Sequence, residues 1–84
     1  MKPVTLYTTD FCPYCRSAKA LLDKRGVSYE EINLARDADA RNNLHEITGM
    51  VTFPQIVVGD ESIGGFDQLL AADRAGRLAE LLAA

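Results

Sequence analysis

Cys12 and Cys15 are the only cysteines of the chain, and they lie three positions apart at the start of a segment with helical periodicity. At the opening of a helix, this spacing brings two sulfurs within reach of a disulfide bond. Unpaired N–H groups and the positive end of the helix dipole favour a thiolate on the first cysteine. Such a pair can attack a disulfide with the first sulfur and resolve the mixed disulfide with the second. We therefore interpret Cys12 and Cys15 as a redox centre.

Two other uses of a cysteine pair remain open from the sequence. The pair could supply half of a structural zinc site, but tetrahedral zinc takes four ligands and the only histidine, His45, is far along the chain. A purely structural disulfide is the other alternative, although so short a loop restricts the unfolded chain only slightly. A C-x-x-C pair beside a strand–helix–strand pattern favours redox chemistry over both and predicts no metal site.

The length and charge of the chain limit its function further. Eighty-four residues suffice for a modest core, so we predict a single domain over residues 1–84. A formal charge of −3 without a basic stripe argues against nucleic-acid binding. No apolar run has the length of a membrane span or of a secretory signal. We therefore expect a cytoplasmic protein with no membrane contact, whose thiols are kept reduced.

Basic residues cluster directly after the cysteines, namely Arg16, Lys19, Lys24 and Arg25. Such a cluster is most often a solvated helix face. Arg16 and Lys19 are nevertheless close enough to the helix start to stabilise a thiolate and to attract an anionic substrate. Both interpretations remain open from the sequence.

Alternation and capping signals predict the element order β-α-β-α-β-β-α. Alternating apolar residues predict strands at Val4–Thr8, Val27–Leu34, Phe53–Val58 and around Ser62-Ile63. Helix signals predict helices that begin at Pro13, after Asp37 or Asp39, near Phe66 or Asp67, and, as a short terminal helix, after Gly76. The strand–helix–strand start implies parallel strands, and the closing hairpin adds antiparallel ones. The predicted fold is therefore α/β, a four-stranded mixed sheet with helices on both faces.

Two local details of this prediction can be checked against a structure. The apolar alternation slips between Tyr29 and Ile32, which predicts a bulge or a weak register in the second strand. The second helix is predicted to bury Ala40, Leu44 and Ile47 along its inner face.

In their order along the chain, the motifs resemble those of glutaredoxins, of the short bacterial dithiol type with a thioredoxin-like fold. The resemblance covers almost the whole chain, and its residues are Tyr7-Thr8, Cys12-Pro13-Tyr14-Cys15, Ala18–Leu22, Thr52–Gln55 and Gly64–Asp67. It implies a glutathione-dependent thiol–disulfide oxidoreductase that reduces protein–glutathione mixed disulfides and protein disulfides. Glutathione would be the co-substrate of a monomeric enzyme without a tightly bound cofactor. Its partners would be glutathionylated and disulfide-containing proteins.

The resemblance also implies a role for individual residues. Cys12 would be the nucleophile and Cys15 the resolving thiol. Pro54 would follow a cis peptide bond, which places the backbone of Phe53 opposite Cys12. Further glutathione contacts would come from Tyr14, Thr52, Gly65, Phe66, Asp67 and Arg41. Among these, the N–H groups of Phe66 and Asp67 would hold the γ-glutamyl carboxylate at a helix start.

The chain departs from the family pattern around the cysteine pair. Glutaredoxins of this type usually carry a Lys shortly before it, where this chain has Thr9 followed by Asp10. That Lys would contact the glycyl carboxylate of glutathione, so here this carboxylate would either rely on Arg41 or be held loosely. Other departures from the usual residues are Met50 for Arg, Phe53 for Val and Phe66 for Cys.

Two alternative functions remain, the first with the same chemistry and the second from a different class. One is a redoxin that a flavoprotein reductase reduces in place of glutathione. The other is a carrier in which two chains bridge an iron–sulfur cluster through Cys12 and two glutathiones. Pro13 argues against the carrier, because the bridging members of the family usually have a small residue at that position.

Overall fold

A computed structural model describes residues 2–83, so the predicted domain limits at residues 1 and 84 lie outside the described residues. The four strands found in residues 2–83 are β1 (Val4–Thr8), β2 (Glu30–Asn33), β3 (Gln55–Val58) and β4 (Glu61–Gly64). The helices in the same range are α1 (Pro13–Lys24), α2 (Ala38–Thr48), α3 (Phe66–Arg74) and α4 (Arg77–Leu82). The order of elements follows the prediction, including the short terminal helix.

The strands form one sheet in the order β2-β1-β3-β4. β1 pairs with β2 in parallel, whereas the β1–β3 and β3–β4 pairs are antiparallel. The predicted mixed four-stranded sheet is therefore confirmed. Because β3 runs against β1 and β4 runs against β3, the end of β1, the start of β3 and the end of β4 share one edge of the sheet.

The core fixes α1 and α3 on the sheet. Leu6 of β1, Ile56 of β3, Leu22 of α1 and Leu69 of α3 are fully buried and belong to one cluster. Burying an apolar side chain of this size is worth about 1.5–3 kcal/mol relative to leaving it exposed. Leu44 of α2 is buried outside that cluster. This packing fixes the positions of α1 and α3. The first turn of each helix carries residues that were predicted to react or to bind glutathione.

The first turn of α1 forms as its sequence predicts. Cys12 is the N-cap residue and Pro13 takes the first helical position, where a missing N–H costs nothing. At the other end, Gly26 follows the C-cap residue with a φ of 69°, a region that glycine adopts without strain.

Two strand predictions differ from the structure. β2 begins at Glu30 and ends at Asn33, although Val27 and Leu34 outside it are buried. β1 pairs with β2 in an unbroken register, so the predicted bulge near Tyr29 is wrong; the slip in alternation marks the loop before the strand. The irregularity in the sheet lies between Ile56 and Val57, where β3 pairs with β4.

The predicted inner face of α2 is also wrong at one position. Leu44 is buried and Ala40 is half-buried, but Ile47 is 73% exposed. Asp37 caps the helix by accepting the N–H of Ala40 over 2.9 Å, and Gly49 ends it. Helical spacing predicts Ile47 on the same stripe as Leu44, but its side chain faces solvent.

No helix within residues 2–83 is long and apolar enough to cross a membrane.

Candidate active site

Three chain segments meet at the shared edge of the sheet. The loop after β1 carries Cys12, the loop before β3 carries Phe53 and Pro54, and the turn after β4 carries Gly65. The antiparallel placement of β3 between β1 and β4 brings these segments together, although they are far apart in sequence.

The two cysteines are joined by a disulfide bond, with their Cα atoms 5.2 Å apart. Cys12 is half-buried, whereas Cys15 is 2% exposed on the inner face of α1. The sulfur of Cys12 accepts the backbone N–H of Cys15 over 3.2 Å. An incoming molecule can therefore reach Cys12 much more easily than Cys15, and the first turn of α1 offers a donor to negative charge on that sulfur.

The loop before β3 faces the same sulfur. The Phe53–Pro54 peptide bond is cis, as the resemblance implied, and the carbonyl oxygen of Phe53 lies 3.6 Å from the sulfur of Cys12. Pro54 is buried and Phe53 is half-buried. The backbone of Phe53 is thus within reach of a molecule bound to Cys12.

A buried glutamine holds this loop in place. Gln55 is 1% exposed, and its Nε2 donates to the carbonyl oxygens of Met50 and Thr52 over 3.2 Å and 3.1 Å. Its Oε1 accepts the hydroxyl of Thr48 over 2.8 Å. These bonds tie the segment before Pro54 to the end of α2. The role of Gln55 was missed from the sequence, although a polar residue at the head of the apolar run Ile56–Val58 could have indicated a buried hydrogen-bonding group.

An open cleft of about 450 Å³ lies beside Phe53. Every predicted glutathione contact except Arg41 lines it, that is, Tyr14, Thr52, Phe53, Pro54, Gly65, Phe66 and Asp67. Met50 and Gln68 complete the lining. The rings of Tyr14 and Phe66 lie across from each other with centroids 6.2 Å apart, within the range of aromatic pairs.

The start of α3 forms one wall of the cleft. Gly65 is the N-cap residue, and its N–H donates to Oε1 of Gln68 over 2.9 Å. Gly64 has a φ of 122°, and a Cβ atom there would lie 2.9 Å from Cγ of Gln68. A side chain at position 64 would therefore strain the backbone and displace the side chain of Gln68. Phe66 and Asp67 are the first two residues of α3. Their N–H groups have no acceptor within the helix.

Arg41 lies outside this cleft. Its Nη1 donates to the carbonyl oxygens of Leu34 and Ala35 over 2.6 Å and 2.8 Å. It lines a neighbouring cavity of about 170 Å³, which shares Met50 and Phe53 with the cleft. The structure thus brings Arg41 near the loop of Phe53 but not among the other predicted contacts.

A second, polar cavity of about 280 Å³ lies on another side of the cysteine pair. Lys19 lines it and pairs with Glu31 over 3.2 Å, so its charge is already engaged. Thr9 and Asp10 line the same cavity, and Asp10 contacts Arg36 over 3.4 Å. The predicted influence of Lys19 on an anionic substrate is therefore weakened. Arg16, exposed on this cavity, forms none of the ion pairs found in residues 2–83.

Within residues 2–83, no group of three or more His, Cys, Asp or Glu side chains is arranged to hold a metal ion.

The sheet order, the accessible sulfur at a helix start and the facing cis-proline loop define a thiol–disulfide oxidoreductase. The glutaredoxin family model matches residues 4–63. A glutaredoxin of Pseudomonas aeruginosa is 45% identical over 84 residues and covers both chains completely. Glutaredoxin 3 of Escherichia coli is 43% identical over 82 residues, 98% of this chain and 99% of its own. A crystal structure of a buckwheat glutaredoxin–glutathione complex superposes with a TM-score of 0.88 at 31% identity, covering 96% of this chain and 76% of the other.

The chain belongs to the glutaredoxin family and has its thioredoxin-like fold. It is a glutathione-dependent thiol–disulfide oxidoreductase, with glutathione as its co-substrate. Neither the flavoprotein-reduced redoxin nor the cluster carrier is favoured by these relatives and the adjacent cysteine pair.

Proposed function

We propose that Cys12 begins the reaction as a thiolate that attacks the glutathione sulfur of a protein–glutathione mixed disulfide. A Cys12–glutathione disulfide forms, the bond to the protein sulfur breaks, and the protein thiolate leaves and takes a proton from solvent. A glutathione thiolate then attacks the glutathione sulfur of this adduct. Oxidised glutathione leaves, and the Cys12 thiolate returns. The partial exposure of Cys12 and the N–H of Cys15 on its sulfur support this assignment.

Cys15 enters only when the substrate is a protein disulfide. Cys12 attacks one sulfur of that disulfide, forms a mixed disulfide and releases the first protein thiolate. The thiolate of Cys15 then attacks Cys12, which frees the second protein thiolate and leaves a Cys12–Cys15 bond. Two glutathiones reduce that bond and leave as oxidised glutathione. Support comes from the Cα separation of 5.2 Å and from the burial of Cys15, which keeps other disulfides away from it.

Glutathione would lie along the cleft with its γ-glutamyl carboxylate on the N–H groups of Phe66 and Asp67. These groups open α3, where unpaired donors and the helix dipole favour an anion. The carboxylate of Asp67 would bind the γ-glutamyl ammonium, and the backbone of Phe53 would pair with the cysteinyl unit. Tyr14, Thr52, Pro54 and Gly65 would form the remaining contacts. The observation that carries this proposal is the common cleft that these residues line, in which Phe53 places its carbonyl oxygen 3.6 Å from the sulfur of Cys12.

The glycyl carboxylate would be the weakly held end of glutathione. Thr9 offers no positive charge, and Arg41 directs one nitrogen to the carbonyl oxygens of Leu34 and Ala35. The guanidinium of Arg41 has further N–H groups, and its cavity adjoins Phe53. Arg41 would therefore contribute a distant attraction for the carboxylate.

We further propose a cytoplasmic monomer that acts as one domain over residues 1–84. Its protein partners would be glutathionylated proteins and proteins with accessible disulfides. A reducing compartment suits a dithiol that must be returned to the thiol state in each cycle.

The proposal is tested by following reduction of a glutathionylated protein with glutathione alone as the reductant, and then with a thioredoxin reductase and NADPH alone. We expect turnover with glutathione and none with the reductase. The opposite result would favour the flavoprotein-reduced redoxin. The absorbance spectrum of the freshly purified protein serves as a control, because a bridging iron–sulfur cluster would give it colour.

A further inference from the structure

Phe11 is a fully exposed aromatic residue directly before the nucleophilic cysteine. The other exposed large apolar residues within residues 2–83 are Tyr14, Ile47 and Val51, and each is less exposed than Phe11. A single apolar side chain on a surface usually needs no explanation. The position of Phe11 beside Cys12 and its backbone conformation make this one different.

The backbone of Phe11 has a φ of 55°, the only positive value at a non-glycine position in residues 2–83. Bulky side chains rarely adopt this region, whereas Gly, Asn and Asp enter it readily. The turn is imposed from both sides: Asp10 is held by Arg36 and Asn33, and Cys12 caps α1. Glycine or asparagine would satisfy the turn better. Neither packing nor backbone therefore accounts for a phenylalanine here.

The ring of Phe11 lies apart from the proposed glutathione cleft. Phe11 lines the polar cavity beside Cys12 and is absent from the lining of the cleft around Tyr14 and Phe53. Cys12 also lines the polar cavity and not the cleft, so Phe11 lies beside the reacting sulfur. A polypeptide joined to Cys12 through sulfur is larger than the cleft, and Phe11 is the residue next to that bond. The apolar surface next to the sulfur therefore fits a peptide side chain that flanks the substrate cysteine.

We infer that Phe11 is a docking residue for polypeptide substrates and selects disulfides whose cysteine has an apolar neighbour. The inference rests on the proposed function and specifies its substrate class. Packing of an apolar side chain on Phe11 removes both from water and stabilises the mixed disulfide with Cys12. Small disulfides of glutathione have no such side chain and gain nothing from Phe11.

The test compares three substrates with glutathione as the reductant. Two are symmetric disulfides of a short peptide, one with Leu and one with Ser beside its cysteine. The third is the mixed disulfide of glutathione and 2-mercaptoethanol. We expect the wild-type protein to have a higher kcat/KM for the Leu peptide than for the Ser peptide. Phe11→Asn should lower the value for the Leu peptide about tenfold and change the other two less than twofold, while Phe11→Leu should keep most of the preference.

Ile47→Asn is the matched control, because it removes an exposed apolar side chain on α2 instead of one next to Cys12. It should leave all three rates unchanged. Equal rates for the Leu and Ser peptides in the wild-type protein would overturn the inference, as would an equal loss on all three substrates in Phe11→Asn. Failure of the proposed function gives a different result, namely no glutathione-dependent turnover of the small mixed disulfide by the wild-type protein.

Discussion

The backbone N–H of Cys15 donates a hydrogen bond to the sulfur of Cys12 over 3.2 Å. The two cysteines are therefore unequal: one side chain receives the donor from the first turn of α1, and the other, 2% exposed, is packed on the inner face of that helix. Because a helix start stabilises negative charge, the bond favours a thiolate on Cys12.

This inequality predicts different outcomes for two serine variants. Cys12→Ser should abolish reduction of both glutathionylated proteins and protein disulfides, because it removes the sulfur that attacks. Cys15→Ser should keep reduction of glutathionylated proteins and lose most reduction of protein disulfides. Steady-state rates on one substrate of each kind measure this. If Cys15→Ser loses deglutathionylation as completely as Cys12→Ser, the mechanism through Cys12 alone is wrong.

Gln55 should hold the loop that lines the cleft in place as well as stabilise the fold. Gln55→Leu leaves the carbonyl oxygens of Met50 and Thr52 without their donor, which costs about 1–3 kcal/mol of unfolding free energy for an unpaired buried group. The loop of Phe53 is then less fixed, so the KM for glutathione should rise several-fold. Urea denaturation and glutathione kinetics measure the two effects.

Leu78→Ala is the control for this variant, because Leu78 is buried on α4 and is absent from the lining of the cleft. It should lower the unfolding free energy by about 2–5 kcal/mol through a cavity in the core. At a temperature where both variants are folded, its KM for glutathione should equal that of the wild-type protein. A similar rise in KM in both variants would contradict a positioning role for Gln55.

The start and the end of α1 could be predicted from the sequence because their signals are local. The cap at Cys12, Pro13 at the first helical position and Gly26 after the last turn each act within a few residues. The exposure of Ile47 could not be predicted in this way. Spacing along α2 indicates which residues share a face, but a neighbouring element must be present to cover that face.

Two differences at the candidate site concern Arg41 and Phe11. The family motifs predicted the residues around the cleft, and their roles stay predictions. Arg41 has a charge suited to a carboxylate, but the carbonyl oxygens of Leu34 and Ala35 hold it in a neighbouring cavity. The backbone of Phe11 likewise has no sequence signal, since a bulky residue argues against a positive φ.

The ion pair between Arg25 and Asp73 should make stability depend on pH. Two hydrogen bonds of 2.8 Å and 2.9 Å join the end of α1 to α3. The hydrogen bond from Arg25 is the main cause that lowers the pKa of Asp73 below its ordinary value of 3.8, against the opposing effect of burial. A carboxyl whose pKa is lower in the folded state stabilises the fold above the unfolded value and loses that contribution as the pH falls through the folded value.

The stability difference between the wild-type protein and Asp73→Asn should therefore be largest above about pH 4 and shrink as the pH falls below it. Urea midpoints measured from pH 6 down to pH 2 give this difference directly. Arg25→Gln is the matched control, because it removes the same two hydrogen bonds from the other partner and should show the same trend. A difference that stays constant over this range would contradict the assigned cause.

Thr9 and Asp67 should affect glutathione binding in opposite directions and by different amounts. Thr9→Lys places a positive charge near the loop before Cys12, where the glycyl carboxylate of glutathione lacks a strong partner. An exposed ion pair is worth roughly 0.2–1 kcal/mol, so the KM for glutathione should fall by up to about fivefold, and added salt should reduce the gain. Asp67→Ala would remove the proposed charged hydrogen bond to the γ-glutamyl ammonium, typically worth about 1.5–3 kcal/mol, and should raise the KM about tenfold or more. If Thr9→Lys leaves glutathione kinetics unchanged at low salt, another group already binds the glycyl carboxylate. Arg41→Gln would then raise the KM in the wild-type background.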